Sequence, residues 1–213
     1  VLERSGRPYA LLFVNDGSSD GSAELLDRFA AEDARIRVLH FSRNFGHEAA
    51  MIAGIDYAEG NVICMDADLQ HPPQCISEIV RAFDEGFDVI SMVRTANRSA
   101  GLVKNITSAG FYGVMNALSG IRLEKNASDF FGISARAAEV LRHDYRERVR
   151  FLRGYVQSLG FRSTTLSYEA AARAAGHSKY SIRKLFRFSM NTIMSFSDLP
   201  LRLGIYAGIA SGV

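Results

Sequence analysis

Short apolar runs punctuate the first hundred residues, and each ends in polar turn residues. Residues 9–14 (Tyr9-Ala10-Leu11-Leu12-Phe13-Val14), 36–41, 62–65 and 87–92 are such runs. They are too short for ordinary helices and are bounded by glycine, asparagine, aspartate and serine, so they read as buried strands. Between them the apolar positions recur at helical spacing. Leu25, Leu26 and Phe29 form one face, and Ile76, Ile79, Val80 and Phe83 another. Residues 48–58 read as a helix whose small residues, Ala49, Ala50, Ala53 and Gly54, permit close packing. Ser18 or Asp20 can cap the helix after the first strand. Pro72 and Pro73 suit the first turn of the helix that extends to residue 85. Strands alternating with helices predict an α/β fold, a mostly parallel sheet with helices on both faces.

After residue 100 the pattern changes. Residues 102–118 read as a long helix, 126–134 as a strand introduced by an acidic turn, 135–143 as a helix and 161–168 as an edge strand. The segment from Arg146 to Gly154 is densely basic. A polar loop, 173–181, precedes a helix that mixes Arg183, Lys184 and Arg187 with aromatic and aliphatic residues, a composition suited to an anionic membrane surface or to an ordinary amphipathic helix packed on the core. Residues 203–213 carry no charge but are short of the roughly 20 residues needed to span a bilayer. They read as the opening of a truncated transmembrane segment or as a short buried helix. The chain therefore divides into an α/β domain (1–176), a basic amphipathic interfacial helix (177–198) and the start of a membrane segment (199–213). It begins without methionine and stops inside an apolar run, and it is read as a fragment.

Composition adds bounds rather than chemistry. The chain has 213 residues, 47% of them hydrophobic, enough for a sizeable core. Its net charge of +2 is too mild to imply nucleic acid. The two cysteines, Cys64 and Cys75, have neither the number nor the spacing of a zinc site or disulfide framework.

The chemistry gathers at strand ends. Asp66 and Asp68 lie just past the run 62–65, and in extended chain their side chains point the same way, with Cα atoms about 6–7 Å apart. Two such carboxylates can share a hard cation together with substrate phosphate oxygens. Asn15 and Asp16 follow the first strand, and Arg94 and Arg98 follow the fourth. Ligands bind at the carboxyl ends of strands in sheets of this kind. Acidic groups for a cation and basic groups for phosphate on one rim suggest a nucleotide-diphosphate substrate. No G-x-G-x-x-G or G-K-[ST] phosphate loop is present, which argues against dinucleotide oxidoreductases and P-loop NTPases.

Four stretches carry a resemblance: Val14-Asn15-Asp16-Gly17-Ser18-Ser19-Asp20-Gly21, Asn44-Phe45-Gly46, Met65-Asp66-Ala67-Asp68-Leu69-Gln70-His71-Pro72-Pro73, and Arg173-x-x-Gly176-x-Ser178-Lys179-Tyr180. Together they resemble the family-two polyprenyl-phosphate glycosyltransferases, which include dolichol-phosphate mannose synthases and bactoprenol glucosyltransferases. The resemblance implies a GT-A fold, a nucleotide-sugar donor with a lean towards UDP, and Mg2+ or Mn2+. It also implies inverting hexose transfer to a polyprenyl phosphate at the cytoplasmic membrane face, serving cell-envelope glycans. Homo-oligomerisation is left open.

By position, the resemblance puts Asp16 at the nucleotide base and Asp66 near the ribose and diphosphate. Asp68 binds the metal, with Asp66 and Gln70 as further ligands. Arg94 faces a phosphate, and Asp129 lies near the acceptor. Arg150 and Arg153 line the acceptor side, while Arg173, Ser178 and Lys179 close over the diphosphate. Two departures stand out. Asn15 replaces the usual first aspartate, and the family's opening strand, ending in Pro-x-Tyr-Asn-Glu, is not in the sequence. A sheet position should therefore be open, and the fragment itself is expected to have a damaged base pocket. An acceptor phosphate is already anionic, so this reading requires no histidine as general base. The alternatives are transfer to a sugar hydroxyl, with Asp129 as candidate base, and a silent module that binds nucleotide-sugar or lipid.

Overall fold

The computed structural model describes residues 1–95, 127–145, 152–169 and 199–212. A short 3-10 turn, Glu3–Ser5, precedes β1, Leu11–Asn15. Then follow α1 (Ser22–Glu32), β2 (Ile36–His40), α2 (His47–Tyr57) and β3 (Val62–Cys64). Pro73 opens a 3-10 turn, Pro73–Cys75, that leads into α3, Ile76–Asp84. The remaining described elements are β4 (Val89–Arg94), β5 (Ala127–Ile133), α4 (Ala135–Asp144), α5 (Leu152–Ser158), β6 (Ser163–Tyr168) and α6 (Leu199–Ser211). The predicted helices 102–118 and 177–198, and the boundary between the predicted domains at 176–177, lie outside the described residues.

The strands fall into two sheets. β1 and β2 pair in parallel, and the second sheet has the order β3-β5-β4-β6. In that sheet β4 and β6 are parallel, while β5 runs antiparallel to both β3 and β4. β3, β4 and β6 therefore share one direction and β5 is the reversed strand between them. The mostly parallel arrangement holds with this one exception, which periodicity along the chain does not reveal. Among the described residues β1 and β3 each keep one unpaired edge, and α2 packs against both strands.

Alternation along the strands sends residues to opposite faces. Val89, Phe131 and Ile133 meet Ile55, Ala137, Ala138, Leu141, Leu152, Tyr155 and Val156 of α2, α4 and α5. Ile90, Met92, Phe130 and Tyr168 meet Ile79 and Ala82 of α3. Each fully buried large apolar side chain contributes about 1.5–3 kcal/mol, so the faces are held by α2, α4 and α5 on one side and α3 on the other. Gly132 lets β5 lie close to α3: a Cβ there would stand 2.5 Å from Ile79 Cγ2 and 3.0 Å from Phe83 Cζ.

Polar groups tie the layers. Arg142 of α4 donates from Nε to Ile55 O at 2.9 Å and from Nη2 to Ala58 O at 2.6 Å, satisfying carbonyls that the end of α2 leaves open. Asp88, buried before β4, accepts from Ser134 Oγ at 2.8 Å and from the Arg136 guanidinium. Ser134 caps α4 by accepting from Ala137 N. At α1 neither expected cap stands at the N-cap, which is Gly21 with no side-chain cap: Asp20 Oδ1 accepts from Ser22 N and Oγ at the start of the helix, and the Ser18 N–H donates to Asn15 Oδ1.

α6 exposes Leu201, Ile205, Tyr206 and Ile209, each more than half accessible. It has 13 residues, and among the described residues no helix is long and apolar enough to cross a membrane.

Candidate functional site

The site is built where β3 ends and β5 begins. The antiparallel register pairs Val62 with Ile133, Ile63 with Gly132 and Cys64 with Phe131. Continued two residues past Cys64, it sets Asp66 opposite Asp129. The start of β5 thus joins the same rim as the carboxyl ends of the other strands. α2 opens there too, and its first residue, His47, stands between the two carboxylates. His47 Nε2 lies 3.6 Å from Asp66 Oδ1 and 3.3 Å from Asp129 Oδ2. From the other side Arg153, in the first turn of α5, donates to Asp129 Oδ1 from Nη2 at 2.7 Å and from Nε at 3.2 Å. Next to His47, Glu48 accepts from Leu152 N at 3.0 Å and so supports the start of α5.

This clustering sets the charges. Burial pushes the Asp129 carboxyl up, but the His47 hydrogen bond and the Arg153 charge outweigh it and hold the pKa at about 2. The hydrogen bond to Asp129 raises the His47 imidazole above its ordinary value. Burial raises the Asp66 carboxyl, with the neighbouring histidines opposing it. Asp129 is therefore a weak base, held between the Arg153 guanidinium and the His47 imidazole.

The turn after β3 forms the second part of the site. Asp68 Oδ1 accepts from Gln70 N at 3.0 Å, which folds the turn back, and Leu69 takes a left-handed φ of 63°. Gln70 Oε1 accepts from Arg94 Nη2 at 3.2 Å. That contact directs the side-chain oxygen expected on a metal towards the guanidinium expected on a phosphate. His71 is buried beneath the turn, where its Nδ1 accepts from Asp66 N at 2.9 Å.

Asp16 stands apart from these carboxylates. Its Oδ1 accepts from Phe45 N at 2.7 Å and its Oδ2 from Gly46 N at 2.9 Å. Both oxygens hold the loop that leads into α2, so in this structure the side chain anchors backbone where the resemblance puts it at a nucleotide base. The loop approaches so closely that a Cβ at Gly17 would lie 2.5 Å from Arg43 C. Asn15, which replaces the usual aspartate, is also fully used. Its Oδ1 accepts from Ser18 N at 3.0 Å, and its Nδ2 lies 3.1 Å from His40 Nδ1 on the paired strand. His40 Nε2 in turn lies 2.9 Å from Asp27 Oδ1. An aspartate could not donate towards His40.

Of the residues expected from sequence, the structure gathers Asp66, Asp129 and Arg153 in one cluster, and Asp68 and Gln70 in the adjoining turn, where Arg94 reaches Gln70 from the end of β4. Arg150, Arg173, Ser178 and Lys179 lie outside the described residues. His47 carries no role in the sequence reading. Its position as the first residue of a helix that follows a strand was the available signal.

A family model described as glycosyl transferase family 2 matches residues 1–141. The chain belongs to that family. The chain is 39% identical over 210 residues to the uncharacterized glycosyltransferase YkcC of Bacillus subtilis, covering 98% of this chain and 65% of the relative. It is 34% identical over 206 residues to the bactoprenol glucosyl transferase of Shigella phage SfV, covering 95% and 67% respectively. The chain thus spans about two thirds of the length of these relatives. Among solved structures it resembles mannosyl-3-phosphoglycerate synthase from Rubrobacter xylanophilus, with a TM-score of 0.55 at 17% identity, covering 96% of this chain and 66% of that one. That likeness establishes the GT-A-like fold, a mixed, largely parallel sheet flanked by helices.

Proposed function

We propose that the protein transfers a hexose, with inversion, from a nucleotide-sugar to a polyprenyl phosphate at the cytoplasmic face of a membrane. The observation that carries this reading is the state of Asp129. Transfer to a sugar hydroxyl needs a base to take the hydroxyl proton. Asp129, the carboxylate on the acceptor side, is clamped by Arg153 and His47 and held at about 2. A phosphate oxygen is already anionic and needs no such base, and a guanidinium beside it supports its binding. The bactoprenol glucosyl transferases among the relatives point the same way. The exposed apolar residues of α6 supply a surface suited to a bilayer.

The donor reading rests on the turn after β3. Mg2+ and Mn2+ take hard oxygen ligands, often one or two carboxylates completed by substrate phosphates. Asp68 and Asp66 are such a pair, and the donor set fits on chemical grounds, although no group of three or more His, Cys, Asp or Glu among the described residues is arranged to hold a metal. Asp68 is the principal ligand in this reading, because Asp66 already faces His47 and His71. A bound cation would neutralise the leaving diphosphate. The chain's own groups do the rest: Arg94 offers charge to a phosphate, and Arg153 and His47 fix the acceptor side. Orienting an anionic oxygen in line with the anomeric carbon then accounts for the reaction. The donor is taken to be a UDP-sugar.

The test is a transfer assay in membranes that contain the protein, with labelled UDP-glucose, undecaprenyl phosphate and Mn2+ or Mg2+. Labelled lipid that disappears with EDTA is the expected result. Metal-dependent release of UDP without lipid product would overturn the acceptor assignment. With neither product from any of several UDP- and GDP-sugars, the protein would instead be a binding module.

A further inference from the structure

We infer that His71 is a positioning residue that holds Asp66, by backbone and side chain together, at the donor end of the site. The inference deepens the reading of Asp66 and Asp68 as the donor-binding turn and rests on it. The ring is 3% exposed, stacked on Phe130 at 5.0 Å and edge-on to Tyr168 at 5.8 Å. Packing alone would be served equally well by phenylalanine. What demands a histidine is the backbone N–H of Asp66. The β3–β5 pairing ends at Cys64, two residues earlier, so the sheet ladder supplies no acceptor at Asp66. His71 Nδ1 supplies one at 2.9 Å.

A nitrogen that accepts from an amide N–H is unprotonated. In the neutral ring the proton is therefore on Nε2. That edge of the ring faces Asp66 Oδ2 at 3.8 Å. One ring thus grips the main chain of Asp66 through one nitrogen and faces its carboxylate with the other. The loop between them contains the left-handed Leu69, at φ 63°, and within it Asp68 Oδ1 accepts from Gln70 N. Without the Nδ1 acceptor, the backbone N–H of Asp66 loses its hydrogen bond to the aromatic layer below. Groups that orient ligating carboxylates in this way typically matter about 10–100-fold in metal affinity.

Two substitutions separate acceptor from ring. His71→Phe keeps an aromatic ring for stacking on Phe130 but removes the acceptor. His71→Asn loses the ring, yet its Oδ1 is as many bonds from Cβ as Nδ1 and can accept from Asp66 N. Mn2+ binding in the presence of UDP, followed by electron paramagnetic resonance, is the readout. We expect His71→Phe to weaken Mn2+ binding about 10–100-fold and His71→Asn to restore most of it. In transfer kinetics the Phe variant should raise the donor KM more than it lowers kcat. A Phe variant that binds Mn2+ with UDP as wild type does, or an Asn variant no better than Phe, would overturn the inference. A second measurement is independent of folding in the variants and of whether metal binds at all. The 15N NMR spectrum of wild-type His71 should show Nδ1 as the bare acceptor and Nε2 as the protonated nitrogen. The opposite tautomer would refute the assignment even if the protein proves to be a transferase. The expected tautomer in a protein that binds neither Mn2+ nor UDP would leave the His71 contact standing and remove its role in donor binding.

Discussion

Removing the Asp16 carboxylate separates two readings of that residue. The resemblance to polyprenyl-phosphate glycosyltransferases puts Asp16 at the nucleotide base. The structure has it holding the loop before α2 through Phe45 N at 2.7 Å and Gly46 N at 2.9 Å. Hydrogen bonds to a charged group are worth about 1.5–3 kcal/mol each when well buried. Asp16 is only half-buried, and Phe45 is 52% exposed, so water can replace part of each bond. A total of about 2 kcal/mol for Asp16→Ala is therefore reasonable, and about 1 kcal/mol for Asp16→Asn, which keeps one acceptor. Gly17→Ala attacks the same contact from the other side. It places a Cβ 2.5 Å from Arg43 C at a φ of +68°, and overpacking with left-handed strain costs about 2–3 kcal/mol. Because both changes free the same loop, the double variant should lose less than the sum of the two, by about 0.5 kcal/mol or more. Urea denaturation of wild type, the two single variants and the double variant measures all of this. Because Gly46 immediately precedes His47, the Asp16 variants should also lower kcat. The reasoning fails if Asp16→Ala changes stability by less than about 0.5 kcal/mol while the donor KM rises only for the native base. Asp16 would then serve the base, as the resemblance implies.

Three further outcomes are expected. Asp68→Ala should abolish metal-dependent transfer, and a variant that keeps full EDTA-sensitive activity would remove Asp68 from the donor site. Gly132→Ala should destabilise by about 1–3 kcal/mol in the same denaturation assay, since its methyl would meet Ile79 and Phe83 at 2.5 and 3.0 Å. The hydrogen bond and charge of Arg136 hold the buried Asp88 carboxyl below its ordinary value of 3.8. The sign follows from linkage: the stability from Asp88 is present above about pH 4 and is lost as the pH falls through the lower, folded value. The stability gap between wild type and Asp88→Asn should therefore shrink in urea titrations carried from pH 6 towards pH 3. A gap that stays constant would show that the ionised Asp88 contributes nothing beyond its neutral hydrogen bonds.

Sequence alone was enough for the local elements of the first ninety-five residues. Their apolar runs and helical faces are short-range properties that the chain carries wherever it folds, and β1, β2, β3 and β4 with α1, α2 and α3 lie where the periodicity puts them. The turn after β3 was equally legible as a turn, because polar residues and two prolines end the apolar run there. The direction of β5 was not legible. A strand reads the same from its pattern whichever way its neighbours run, and only the hydrogen-bonded register of β5 with β3 brings Asp129 across from Asp66. The position of His47 between those carboxylates, and the reach of Arg153 to Asp129, depend on where α2 and α5 start relative to that register. The same holds for His71. Its place in the motif is plain in the sequence, but the need for its Nδ1 arises only because the pairing of β3 stops at Cys64 and leaves the amide of Asp66 without a strand partner. Composition and spacing determined which groups are available to this protein. The tertiary structure decided which of them face one another, because contact across a sheet depends on pairing between segments far apart in the chain.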